Sequence, residues 1–398
     1  AGDGQARWLK RVAGKVGFMA PDGRWLIEPV FEDAGVLSHD RVAFRHEWLW
    51  GYLDTHGTEV VSPRFHSAAD FQEGLARVQS NKNHLYGFIA VDGSWVIEPV
   101  FTKAEHMFDG LTLVENEQFQ EYVDSQGRRA IKIDFAHAHS FASGMALVCN
   151  DMSGPFGFID KSGGVVIPLD LEAAWHFCQG YAPAMKNGKW GHLDQAGGWA
   201  VQPVYQRVDY LFNGFARVMK DDHWGVVDTQ GKVIVSPRFN TIEISGEFFK
   251  VKEGKMHGLL NRNGEQVVEP RYTGMGGVAE NLIPVKEAED TLWGYIDVHG
   301  QWAIEPRYAA AHDFGNGHAL IKAADSQPGI INTDGMITAT LNVELNEAGP
   351  FAASGVAWIC LGGKYGLVRV DGRILLDPEL EEVNGTGSDW IRVKYPSR

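Results

Sequence analysis

Trp293-Gly294-Tyr295-Ile296-Asp297-Val298-His299-Gly300-Gln301-Trp302-Ala303-Ile304-Glu305-Pro306-Arg307-Tyr308 is the clearest instance of a pattern that fills this chain of 398 residues. With Gly294 as offset zero, the same slot falls at Gly17, Gly51, Gly87, Glu121, Gly157, Gly191, Gly225, Gly258, Gly329 and Gly366, at spacings of 33 to 37 residues. A second glycine follows six residues later in all eleven copies, from Gly23 to Gly372. Proline stands at offset twelve in eight copies; those at Glu121 and Gly329 lack it, and the copy at Gly157 has Pro168 one place early. A fixed period of this length marks a repeat architecture, in which each unit buries its apolar faces against its neighbours. That overrides the two or three globular domains that length alone suggests.

Each mark has a physical reason. In Asp54-Thr55-His56-Gly57 the Asp carboxylate can accept backbone N–H groups two residues on, and the glycine supplies the positive φ of a bulged hairpin turn. Asp or Asn fills that first turn position in eight copies, with Ala20, Ala90 and Arg369 the exceptions, so these carboxylates read as turn formers rather than catalysts. Apolar residues flank the turn in consecutive pairs, such as Tyr52-Leu53 and Val226-Val227 before it and Val60-Val61 and Val267-Val268 after it. Successive strand residues point to opposite faces, so both faces of the hairpin are apolar and must be sandwiched. The following proline cannot donate to a ladder, which puts it at a strand end, a bulge or a sheet edge.

After the hairpin comes F-x-x-A-x-x-F-x-x-G-L-A-x-V, as at Phe65 to Val78. It reads as a short or single helical turn followed by a third strand ending at the valine. The combined pattern, W-G-x-x-D-x-x-G, then apolar-apolar-x-P-x-aromatic, then F-x-x-G-x-A-x-V, resembles the bacterial WG (KWG) repeat family over residues 16–394. The resemblance implies a tandem β-repeat and no activity of its own. The expected fold is all-β: one array over residues 1–398 of about eleven three-stranded antiparallel units, stacked as an open propeller-like spiral. Repeats start near residues 16, 50, 86, 120, 156, 190, 224, 257, 293, 328 and 365. Residues 1–15, with R-W-L-K-R-V-A-G-K, and Asp389 to Val393 both read as third strands, so neither end visibly lacks a partner. Eleven units also exceed the usual 4–8 propeller blades, which leaves a closed ring or two smaller rings as alternatives.

Composition narrows the function. A net charge of −15 without any Lys/Arg-rich run argues against nucleic acid and against anionic lipid. No apolar run is long enough for a transmembrane helix and no signal peptide is visible, while Ala1 stands where a Met would start the chain. The expectation is a cytoplasmic or periplasmic protein of a bacterium. Cys149, Cys178 and Cys360 lack metal-ligand spacing and read as buried free thiols.

Motifs for nucleophilic, metal-dependent, nucleotide and dinucleotide chemistry are absent. Four histidines, His106, His139, His176 and His312, recur at offset eighteen or nineteen, where capping of the connecting turn explains them better than a metal site. Tryptophans at offset minus one (Trp50, Trp190, Trp224, Trp293) and plus eight (Trp25, Trp95, Trp199, Trp302) read as core, because Tyr86, Phe156 and Tyr365 replace them by size. Offset thirteen is Arg in four copies, and Arg238, Arg271 and Arg307 come from consecutive ones. They form the candidate partner-binding edge, suited to an acidic segment through bidentate hydrogen bonds; neutralising Glu269 and Glu305 is the structural alternative. The functional expectation is a non-enzymatic scaffold for protein–protein interaction, with no cofactor and no metal. A module for glycan or cell-wall polymers, with exposed aromatics, comes second, and an enzyme with an unrecognised site third.

Overall fold

The computed structural model describes residues 13–323 and 327–397, and every regular element among them is a β-strand. The chain divides into two units, Gly35–Asn240 and Ala1–Ala34 with Thr241–Arg398. The first carries the hairpins of copies two to seven, the second those of copies one and eight to eleven.

All eleven hairpins form, including those of the weak copies at Gln120–Asp124 and Pro328–Asn332. The second glycine is left-handed every time, with φ of 77° at Gly57 and 80° at Gly300. The Asp54 Oδ1 accepts from the His56 and Thr58 N–H groups at 2.8 and 2.9 Å, and these bonds, Thr58 foremost, hold its carboxyl below the usual range. Where offset three is not Asp or Asn, the carboxylate moves to offset five. Asp22, Asp92 and Asp371 accept from Arg24, Ser94 and Arg373. Each turn therefore keeps one such polar acceptor by either route.

A typical sheet runs Arg207–Val208, Phe215–Lys220, His223–Asp228, Val233–Phe239, all antiparallel. The W-G hairpin supplies the third and fourth strands, and the preceding repeat supplies the first two. A sheet thus straddles two sequence repeats. It also has four strands rather than the three expected, because the segment read as a turn pairs through two residues, such as Val208 with Val218. No helical turn forms there. At Glu59–Ala68 and Trp302–Ala311 the fourth strand runs on unbroken into the next first strand.

Burial on both faces holds for the W-G strand, where Val226 and Val227 or Tyr295 and Ile296 are all fully buried. It weakens on the fourth strand, where Val61 is buried and Val60 only half so. Successive sheets interlock, as when Leu113, Tyr122 and Ile131 pack on Ala146, Val148 and Ile159. The proline lies in a bulge: Trp50 pairs with Phe65 but Tyr52 with Val61, leaving Ser62, Pro63 and Arg64 opposite Gly51.

One sheet draws on both ends of the chain. Its order is Trp25–Phe31, Val16–Met19, Ile391–Lys394, Glu382–Asn384. The N-terminal third strand expected before copy one falls, up to residue 12, outside the described residues. The strand that pairs with Val16–Met19 comes instead from the C-terminal D-W-I-R-V segment, with Gly17 opposite Val393.

Candidate functional site

Offsets eighteen to twenty-one join the first strand of a sheet to a tight turn, and their side chains divide sharply. Offset twenty is an anchor: Phe71, Met107, Phe141, Phe177 and Leu211 are all buried. Its ring meets the aromatic side chain at offset one edge-on, as in Tyr122–Phe141 at 4.8 Å and Phe158–Phe177 at 4.9 Å. Where offset one is tyrosine, its buried hydroxyl also donates to the offset-eighteen carbonyl, so Tyr122 holds the backbone of His139. With offset twenty pinned inward, offsets eighteen, nineteen and twenty-one turn outward in copies three to six, whereas His312 at offset eighteen of copy nine is largely buried. The turn beyond has positive φ at both central residues, such as Glu73 (49°) and Gly74 (83°). Side chains at offset twenty-two link one turn to the next: Glu73 accepts from Asp109 and Gly110 N–H, and Asp109 from Gly144 N–H.

In copies three to six the outward positions carry Glu105, His106 and Phe108; His139 and Ser140; Trp175, His176 and Cys178; and Asp209, Tyr210 and Phe212. Phe108, Trp175, Tyr210 and Phe212 are 40%, 39%, 37% and 54% exposed. Trp175 packs on Trp190 and Tyr210 with centroids 5.4 and 5.3 Å away. His139 and His176 meet edge to face at 5.4 Å. Between copies three, four and five opens a cleft of about 450 Å³, lined among others by Glu105, Phe108, Leu113, Phe141, His139 and His176. Loss of solvent lowers the proton affinity of all three imidazoles, and at His139 the neighbouring His176 lowers it further. Near neutral pH they are uncharged donor–acceptor groups. Among the described residues no three His, Cys, Asp or Glu side chains converge as metal ligands.

The arginines singled out from sequence are exposed, and each lies over the aromatic ring that follows it. The distances are 4.6 Å for Arg238 on Phe239, 5.0 Å for Arg271 on Tyr272 and 5.4 Å for Arg307 on Tyr308. Arg271 also donates to the Tyr272 hydroxyl, and Arg307 to the carbonyl of Gly335, the turn glycine of the next copy. Arg64 does the same to Gly93. Arg238 belongs to one unit, Arg271 and Arg307 to the other.

The family described as WG containing repeat matches residues 17–47, 50–83, 86–118, 156–190, 190–222, 224–255, 258–289, 293–323 and 329–365. These nine segments cover well over half of the chain. The chain is a WG-repeat protein. The copies at Glu121 and Gly366 bring the count to eleven; both form the hairpin, and the first lacks both W-G and proline. No curated protein matches this WG-repeat protein in sequence. Among solved structures it is similar to a crystal structure of the eukaryotic initiation factor (8% identity, 72% of this chain and 94% of that chain, TM-score 0.42). It is also similar to Hsv2p of Kluyveromyces lactis (11%, 48% and 71%, TM-score 0.32) and BamB of Moraxella catarrhalis (11%, 74% and 99%, TM-score 0.28).

The two tryptophan rows of this WG-repeat protein are half-buried throughout, so each indole packs on one side and meets solvent on the other. Cys149 and Cys360 are buried as expected, whereas Cys178 is half-buried. Sequence reading caught His106, His139 and His176 but passed over Glu105, Phe108, Trp175, Tyr210 and Phe212. Aligning the copies would have found them. The same offsets hold Ala69, Asp70 and Gln72 in copy two and Gly276, Gly277 and Ala279 in copy eight. Among described residues no helix is long and apolar enough to cross a membrane.

Proposed function

We propose that this WG-repeat protein is a non-catalytic binding module that holds a protein partner on the outward face of copies three to six. The observation that carries the reading is the exposure of Phe108, which lines the cleft, and of Trp175, Tyr210 and Phe212 at equivalent offsets, where copies two and eight carry small or polar residues. Exposed aromatic rings around a polar-lipped cleft are the usual anchors of interfaces.

Cross-linking followed by affinity capture from native cells tests this. Replacing Phe108 and Trp175 together by Ser should remove the captured partner and leave the melting temperature nearly unchanged. Capture that survives this pair but is lost, with the fold intact, when Arg238, Arg271 and Arg307 become Ala would move the interface to the arginine edge. A glycan is the second reading, favoured by Trp175, whose exposed ring is braced by Trp190 and Tyr210. Quenching of tryptophan fluorescence by a soluble polysaccharide, abolished by Trp175→Ser, would support it.

A further inference from the structure

We infer that the cleft beside Phe108 is a receptor for a cationic side chain, an arginine or lysine presented by a basic segment of the protein partner. The inference rests on the protein-binding reading above and adds the chemistry of what is bound.

In two other copies the acid at offset eighteen has a cation across from it on the second strand. Asp209 pairs with Arg217, and Glu243 with Lys250 at 2.6 Å. Arg217 is at offset twenty-six, its guanidinium lying 5.1 Å from the Trp224 ring of the next strand. That sheet thus contains its own acid, cation and aromatic plate. In copy three the acid is kept and the rest is lost. Glu105 stands at offset eighteen and its N–H bonds the carbonyl of Leu113, as Asp209 N–H bonds that of Arg217. The cation's position is therefore Leu113, and that of the tryptophan is Gln120. Among the described residues Glu105 has no ion pair.

What remains is a carboxylate at the lip of an apolar cleft, with the Phe108 ring on its rim and Leu113, Ala138 and Phe141 in its walls. A guest guanidinium or ammonium would take the place that Arg217 fills in copy six. Its head would meet Glu105 and its aliphatic stem the apolar wall. The Phe108 face adds a cation–π contact, a device this chain uses repeatedly on its own rings. A net charge of −15 draws cations toward the whole molecule.

The histidines give the site a pH limit. His139 and His176 line the cleft, with His106 and His137 close by and Arg77 as a cation acting on His106. The lowered proton affinities of His106, His139 and His176 leave them neutral near pH 7. Acidification would place positive charge around Glu105 and expel a cationic guest. Retention should therefore fall as pH drops below the ordinary histidine range.

The probe is a short glycine–serine peptide carrying one arginine, with lysine, citrulline and norleucine versions, titrated into the full-length protein by ligand-observed magnetic resonance. The arginine and lysine peptides should bind, the citrulline and norleucine ones at least about tenfold more weakly. Glu105→Gln should remove that preference. Leu113→Arg, which supplies the intramolecular cation that copy six has, should close the site while circular dichroism stays unchanged. Equal binding of arginine and citrulline peptides, or an arginine preference untouched by Glu105→Gln, overturns the inference. So does saturable binding of an oligosaccharide that depends on Glu105. If cellular capture is lost with Phe108→Ser and Trp175→Ser but unaffected by Glu105→Gln, the cationic inference fails and the protein-binding reading stands. If none of these changes affects capture, both fail.

Discussion

His192 sits one residue after its copy's glycine, where copies two, four and nine have Tyr52, Tyr122 and Tyr295. All four side chains serve the offset-eighteen carbonyl: the tyrosine hydroxyls donate to Ala69, His139 and His312, and His192 Nε2 lies 2.7 Å from the Asp209 oxygen. A carbonyl needs a donor, so Nε2 carries the proton and the fully buried Nδ1 is left without a partner. Burial lowers the proton affinity of this ring. The unfolded chain, with a histidine near the ordinary 6.5, then takes up a proton first as pH falls. Stability is unaffected above that value and drops progressively below it. His192→Tyr should keep the donor, remove the orphan nitrogen, stay within about 1 kcal/mol of wild type at neutral pH, and lose less stability on acidification. His192→Ala leaves a cavity and an unserved carbonyl and should cost about 2–4 kcal/mol. Urea unfolding at neutral and mildly acidic pH measures both; equal acid sensitivity of wild type and His192→Tyr would falsify the account.

Hairpin by hairpin, the glycine at offset zero and the proline at offset twelve are one feature. The bulge around the proline pushes the fourth strand onto the glycine, so that a Cβ on Gly258 would lie 2.7 Å from the Val268 oxygen and 2.8 Å from the Pro270 nitrogen. Copies four and ten lack the proline, and in both the ladder passes the offset-zero residue without a bulge. Copy four there tolerates the buried Glu121, paired with Arg129, and a Cβ on Gly329 would come no closer than 3.1 Å to Ala339. Gly258→Ala should therefore cost about 2–4 kcal/mol and Gly329→Ala less than about 1 kcal/mol. Similar losses of melting temperature in the two variants would contradict the link. The turn between second and third strands gives another contrast. Asn187-Gly188 and Gly362-Gly363 suit its left-handed backbone, but copy one puts Glu47 and a 78% exposed Trp48 there, with φ of 49° and 72°. Trp48→Gly should raise stability by about 0.5–1 kcal/mol, seen as a higher denaturant midpoint. Hairpins, turn glycines and the apolar W-G strand were legible because each is local and repeated eleven times. The four-stranded sheet was not, because its first strand pairs through only two residues and carries no periodic pattern. The cleft was half legible, its histidines standing out by recurrence while Glu105 and Phe108 stand out only against other copies.

At the largest scale, the first and last copies of the chain share a sheet. Reading the sequence found D-W-I-R-V as a strand but not its second partner, since pairing between residues over 370 positions apart is carried by backbone groups that any strand has. Side chains reinforce the pairing. The Arg392 side chain, 10% exposed, donates from Nε to the Ala34 carbonyl at 2.9 Å and bridges Glu382 at 2.9 Å and Asp33 at 3.4 Å. Phe18 packs on Trp390 with centroids 5.1 Å apart. In an array coupled only between sequence neighbours, damage at the C-terminus would stay in the last copies. Here, removing residues 389–398 takes the central strand Ile391–Lys394 from between Val16–Met19 and Glu382–Asn384. Amide exchange should rise in Val16–Met19 and Trp25–Phe31 together with Lys364–Arg369 and Ile374–Leu380, while Trp293–Asp297 changes little. Arg392→Met, which keeps the strand but not the polar tie, should show the same distribution at a smaller cost of about 1–3 kcal/mol. Exchange that rises only in copies ten and eleven, with Val16–Phe31 as protected as in the intact chain, would mean that the terminal strand adds nothing to the stability of the first copy.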